Sequence, residues 1–169
     1  MVWLETQRLI LRDFQQNDVD QLARIFANPQ VMQFSPTGIL SALETKEKVD
    51  SFITSYKTLG FGKWAIVFKE TKELIGYCGI AVEQIDKVPK REIGYRLDPN
   101  FWGKGLAIEA ASATVQYGFE QLKFAYILGI VEQANTTSVR VLKKLGMRYE
   151  RKTIFYGVEM DVYRLNATA

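Results

Sequence analysis

The stretch "REIGYRLDPNFWGKGLAIEAA", residues 91–111, contains three signals in twenty-one positions. A strand-like run, Glu92 to Leu97, breaks at Asp98-Pro99-Asn100. A turn then carries Gly103-Lys104-Gly105, and an alanine-rich helix follows at once. At the start of a helix the first backbone NH groups lack intrahelical partners, and the helix dipole adds roughly half a positive charge. Glycines let such a backbone approach an anion closely, and Lys104 adds a mobile cation. The same glycines would also serve any tight turn, so the motif must be read in context.

Context excludes two nucleotide folds. A P-loop requires Gly-x4-Gly-Lys-Ser/Thr, but Lys104 is followed by Gly105, Leu106 and Ala107, with no hydroxyl for magnesium. A dinucleotide fold places its glycines near the start of a parallel βαβ unit. Here the turn follows four predicted strands, two of them in a hairpin.

Outward from the turn, the chain alternates strand and helix patterns. "RLILRDF" (8–14) reads as a strand, and Asn17 is placed to cap a helix with Val19, Leu22, Ala23 and Phe26 at helical spacing. Residues 28–43, with Pro29, Pro36 and Gly38, read as loop. Ser41 and Glu44 have capping-box spacing before a helix over 42–58. Strands follow at 63–69, 73–82 and 92–97, the first two joined as a hairpin. After the glycine turn come a helix (106–122), a strand (125–131), a short helix (137–145) closing before Gly146, and two strands turning at Tyr156-Gly157. The order β α α β β β α β α β β predicts an α+β layered fold around a mixed sheet.

Composition narrows the function. At 169 residues, 47% hydrophobic and 24% charged, the chain suits a single folded domain over 1–169. Lys and Arg number 22 against 19 Asp and Glu, an excess of +3 too small and dispersed for a nucleic-acid partner. The chain has no His and one Cys, so the commonest general base and the commonest zinc ligand are missing; no metal site is expected. No apolar run reaches a membrane span and no signal peptide opens the chain, so a cytoplasmic protein without a membrane partner is expected.

Four segments together resemble the GCN5-related N-acetyltransferase (GNAT) superfamily, in the branch similar to ribosomal-protein N-terminal acetyltransferases. They are "ETQRLILRDF" (5–14), "EIGYRL" with "FWGKGLAIEA" (92–97 and 101–110), "NTTSVRVLKKLGM" (135–147) and "YGVEMDVYRL" (156–165). The resemblance covers nearly the whole chain. It implies a mostly antiparallel sheet with one splayed strand pair and helices on both faces, and acetyl-coenzyme A as acetyl donor. The pyrophosphate would lie on the NH groups of Gly103, Lys104, Gly105, Leu106 and Ala107, beside Trp102. Main-chain groups of Tyr95, Arg96 and Leu97 would pair with the pantetheine arm, and Asn135 and Ser138 match polar positions near the arm and thioester. Asn135 also reads as a plain helix cap. Two departures stand out: Asn100 replaces the family's common Gln or Arg, and Leu142 stands where the branch's tyrosine acid would be.

Acetyl transfer to an amine needs a neutral amine and a proton for the departing thiolate. At pH 7, deprotonating an α-amine costs about 1.4 kcal/mol, against about 4.6 for a lysine side chain. A site without His therefore favours α-amines, on a protein N-terminus or an amino-acid-like acceptor. Glu92, in phase with Gly94 and Arg96, is the expected base, although pairing with Lys90 or Arg91 would make it a surface glutamate; Glu132 is the understudy. Ser138 or Tyr156 is the expected proton donor. Cys78, amid "YCGIA", reads as a structural thiol. Phe34, Tyr56 and Phe61 lie where the family roofs its acceptor pocket, and Phe34 and Tyr156 are the expected substrate contacts. Two other functions fit: transfer to a small amine, polyamine or antibiotic, and a non-catalytic acyl-CoA-binding module. The final hairpin offers edge strands for a homodimer, beside a monomer.

Overall fold

A computed structural model describes residues 1–168. Eight strands form one sheet in the order β1-β2-β3-β4-β5-β6-β8-β7. They are β1 (Trp3–Glu5), β2 (Leu9–Arg12), β3 (Lys63–Phe68), β4 (Leu74–Ile85), β5 (Val88–Leu97), β6 (Tyr126–Val131), β7 (Arg148–Phe155) and β8 (Val158–Asn166). Four helices cover it: α1 (Val19–Phe26), α2 (Ala42–Leu59), α3 (Leu106–Glu120) and α4 (Thr136–Lys144). Every pairing is antiparallel except β5 with β6. That parallel pair holds register only at Glu92 with Leu128 and Ile93 with Gly129. Beyond it β5 and β6 part, as the resemblance implies.

Period-2 alternation sends successive side chains of each strand to opposite faces. On β3, Trp64 and Ile66 pack under α3 with Leu106, Ala110 and Ala111, while Ala65 packs with Phe26 and Val49 of α1 and α2. Each fully buried Leu or Ile contributes roughly 1.5–3 kcal/mol. Cys78 belongs to the α3 side, is fully buried, and its Sγ lies 3.3 Å from Thr114 Oγ. Burial pushes the thiol up to about 11, the structural role expected for it.

The predicted elements hold, with local corrections. The capping box of Ser41 and Glu44 closes in both directions at 3.1 Å, and α2 ends on Gly60 in the left-handed conformation. Asn17 does not cap α1: it lies inside a 3-10 turn, Gln16–Asp18, and Asp18 Oδ2 accepts from the Gln15 NH at 2.8 Å. Arg12 grips the same carboxylate from β2 at 2.8 and 2.9 Å. Strand β1 was not foreseen, and β4 and β5 extend to a tight turn at Asp86-Lys87, both with positive φ. No helix among the described residues is long and apolar enough to cross a membrane.

Candidate active site

Where β5 leaves β6, two cavities meet. The larger, about 630 Å³, lies against Gly103, Gly105, Leu106, Ala107 and Ile108 and is called here the turn cavity. The other, about 480 Å³, holds Glu83, Glu92 and Glu132 and is called the carboxylate cavity. Phe34, Tyr95, Arg96, Asn135 and Ser138 line both, and so mark the junction.

The turn cavity is made of backbone. Gly103 (φ 72°) and Gly105 (φ 76°) adopt the left-handed conformation that other residues enter at a cost. Gly105 is the N-cap of α3, and the first helical bond runs from the Glu109 NH to its carbonyl at 3.2 Å. Among the described residues, the NH groups of Gly103 to Ile108 have no backbone acceptor, so the helix start is open to an anion. Arg140 and Lys144 of α4 line the same space. An arginine distant in sequence braces the turn. The Arg8 guanidinium donates to the Lys104 carbonyl at 2.8 Å and to Glu109 at 2.8 Å, while Glu109 also accepts from the Arg8 NH at 2.9 Å and Thr6 Oγ1 at 2.6 Å. Partial burial pushes the Glu109 carboxyl up, and these partners together outweigh it and hold the group below its ordinary range.

The Lys104 NH belongs to the open set, while its side chain is placed apart. Its ammonium lies 5.6 Å over the Phe101 ring, and the residue does not line the cavity. Trp102 does line it, half exposed, and donates its indole NH to the Leu97 carbonyl at 2.9 Å. That oxygen, expected to face a ligand, is therefore already engaged. Tyr95 and Arg96 stand free of a β6 partner on the splayed edge.

The carboxylate cavity is made of side chains. Glu92 points to the α1/α2 face with Gly94 and Arg96, as the strand phase predicts. The surface pairing weighed for it does not form: Lys90 donates to the Tyr126 hydroxyl at 2.7 Å, and Arg91 lies on the Phe124 ring at 4.3 Å. Burial pushes the Glu92 carboxyl up to about 7, with Lys63 restraining the rise and Glu83 adding to it. Such a group changes charge near neutrality. Glu132 lines the same cavity, and Tyr156, on an exposed turn with Gly157, reaches its rim.

At the junction, Asn135 caps α4 by accepting from the Ser138 NH at 3.3 Å, so the plain cap reading holds while the residue lines both cavities. Ser138 Oγ lies 2.8 Å from the Tyr95 hydroxyl. Sequence reasoning assigned Tyr95 only main-chain groups and so missed this hydroxyl pair. Leu142, buried against Gly129, fills the neighbouring space. Tyr56 and Phe61 do not roof the cavity. Tyr56 accepts from the Phe14 NH at 3.1 Å and donates to the Lys63 carbonyl, while Phe61 packs on Phe124 in the core.

Comparison with known proteins agrees with this fold. The acetyltransferase (GNAT) domain family matches residues 8–148. N-acetyltransferase p20 of Bacillus licheniformis is 34% identical over 152 residues, covering 89% of this chain and 84% of the relative. An acetyltransferase from Agrobacterium tumefaciens superposes with a TM-score of 0.85 at 25% identity, covering 98% and 95% of the two chains. A ribosomal L7/L12 α-N-protein acetyltransferase, solved in complex with coenzyme A, has the same fold at a TM-score of 0.80, 20% identity and 98% coverage of both chains. With its splayed β5–β6 pair, open helix start and matched domain, this chain belongs to the GNAT family of acetyl-CoA-dependent N-acetyltransferases.

Proposed function

We propose that the chain, acting as a single domain, transfers acetyl from acetyl-CoA to the α-amino group of its acceptor, with Glu92 as general base. The carrying observation is the junction itself: a cavity with unpartnered backbone donors meets one holding a carboxylate poised near pH 7.

The residues fit the donor. The open NH groups from Gly103 to Ala107, with Arg140 and Lys144 beside them, suit a pyrophosphate. The free edge of β5 at Tyr95 and Arg96 suits an extended amide-bearing arm, and Asn135 and Ser138 stand where that arm would end. When bound, acetyl-CoA supplies an activated acetyl thioester. Glu92, ionised above about pH 7, removes the proton that keeps an amine unreactive, directly or through a water. The Tyr95–Ser138 hydroxyl pair is the proton source for the leaving sulfur; burial raises the Tyr95 hydroxyl above its ordinary range and keeps it protonated. Phe34 and Tyr156 border the acceptor's path.

Thermal unfolding with acetyl-CoA, beside ATP and NAD controls, tests the donor. At 100 dissociation constants the linkage stabilisation is ~2.7 kcal/mol, expected to raise the midpoint by roughly 5–11 °C with acetyl-CoA alone. CoA release across α-amines and lysine-type amines then tests the acceptor. A full donor site with no turnover on any amine would leave a binding module instead.

A further inference from the structure

Three glycines cross the sheet on the face that carries Glu92. Gly62 precedes β3, Gly79 of β4 pairs with Lys63, and Gly94 of β5 pairs with Gly79. A Cβ at Gly79 would strike the backbone of Gly62 and Lys63, and one at Gly94 would strike the Lys63 ammonium. Gly79 lets the backbone of Gly62 and Lys63 approach β4, and Gly94 leaves the space that the end of the Lys63 side chain occupies over β5. Tyr56 fixes the Lys63 backbone by donating to its carbonyl.

The ammonium ends over Gly94 inside the carboxylate cavity, 5.5 Å from the centre of the Tyr77 ring. Glu92 stands beside the same residue, its Oε2 3.9 Å from where a Cβ at Gly94 would be. The two charges meet at one residue without closing into an ion pair. Arg96, at the junction, has only a 3.4 Å bond to the Val31 carbonyl, and Lys48 lines the same cavity; among the described residues neither is paired with a carboxylate. With the Glu92 carboxylate beyond ion-pair distance, the half-buried Lys63 ammonium loses hydration that the Tyr77 ring only partly replaces.

We propose that Lys63 is a specificity-determining residue that takes the carboxylate of the acceptor while Glu92 faces its amine, so the acceptor is a free α-amino acid. Amine and carboxylate on one carbon match a base and a cation that meet at one glycine without pairing. Phe26, Phe34, Phe52 and Tyr77 line the cavity and suit an aromatic or large aliphatic side chain. This inference rests on the transferase reading above and names its substrate.

The test uses the full chain with L-phenylalanine, L-leucine and L-methionine, each beside its amide. The amide keeps the α-amine and makes it easier to deprotonate, so a preference for the acid reports recognition rather than basicity. We expect kcat/KM at least tenfold higher for the best acid than for its amide. Lys63→Met should bring that ratio to within threefold of one, mostly through KM, while acetyl-CoA still raises the midpoint. A second readout needs no turnover: N-acetyl-L-phenylalanine should raise the midpoint of the CoA complex more than its amide does, and Lys63→Arg should preserve the difference. Equal use of acid and amide, an equal loss on all acceptors in Lys63→Met, or neither turnover nor a midpoint shift with any acid overturns the amino-acid assignment. If acetyl-CoA still shifts the midpoint in those cases, the donor site stands; if it does not, both readings fall.

Discussion

The turn cavity takes its key groups from neighbouring residues, Gly103 to Ile108, whereas the carboxylate cavity draws Lys63, Glu83, Glu92, Glu132 and Tyr156 from five places in the chain. The first is a backbone site, made by two left-handed glycines and a helix start. The second is a side-chain site, made by strand order and sheet phase. A backbone site tolerates most side-chain changes around it and fails when the backbone cannot be approached. A side-chain site fails when one group loses its charge. Chemistry and specificity should therefore be separable from donor binding by substitution.

The sharpest break is Glu92→Gln. Loss of the base is expected to lower kcat by roughly 10²–10⁴, with little change in acetyl-CoA affinity. In the wild type, kcat/KM should rise with pH through about 7 as Glu92 ionises, and the variant should lack that limb. The stability effect has the opposite direction. A carboxyl raised in the folded state stabilises fully below its unfolded value of 4.5, and that contribution is lost as pH rises through about 7. Relative to wild type, the Glu92→Gln melting midpoint should therefore gain more at pH 8.5 than at pH 5.

The converse break is Gly105→Asp. Aspartate is among the side chains that tolerate the left-handed region, and there is room for its Cβ, with Arg8 Nη2 nearest at 3.6 Å. The carboxylate at an anion site should raise KM for acetyl-CoA by roughly 10–100-fold while leaving kcat within a few-fold. A loss of kcat instead, at unchanged KM, would contradict the division between the two cavities.

Tyr95→Phe probes the junction. It removes one of two paired hydroxyls, so kcat should fall by roughly tenfold, with Ser138 and water sustaining the remainder. Combining it with Ser138→Ala should cost less than the product of the two single losses, because the groups act as a unit. Arg8→Ala is the mildest. Losing the clamp on Lys104 and Glu109 should raise KM for acetyl-CoA about threefold and lower the midpoint by about 2–8 °C, from roughly 1–2 kcal/mol of charge-assisted hydrogen bonding at a partly exposed site.

The same division explains what the sequence made legible. Residues 91–111 announce the turn cavity because its signals are local: a strand period, a turn, two glycines and a helix start. Glu92 could be placed on the right face from strand phase, but not freed from Lys90 and Arg91, since their partners Tyr126 and Phe124 lie more than thirty residues away. Arg8 with Glu109 left no signal, being joined across 101 residues. Lys63 looked like an ordinary strand residue, because the space over Gly94 that its ammonium takes exists only once β3, β4 and β5 bring Lys63, Gly79 and Gly94 into register. Strand β1, three residues long on a sheet edge, is too short for its alternation to be read. Tyr56 and Phe61 misled for the same reason: aromatic side chains near an insert look like pocket walls until their hydroxyl and ring partners are known.

The buried Cys78 has a practical consequence. It is the one thiol in the chain, fully enclosed and pushed up to about 11, so near neutral pH the folded protein offers almost no reactive sulfur of its own. Free coenzyme A released by turnover can be titrated continuously with a chromogenic thiol reagent against a silent background. A single cysteine introduced at exposed Tyr156 would then carry a fluorescent label at one defined place.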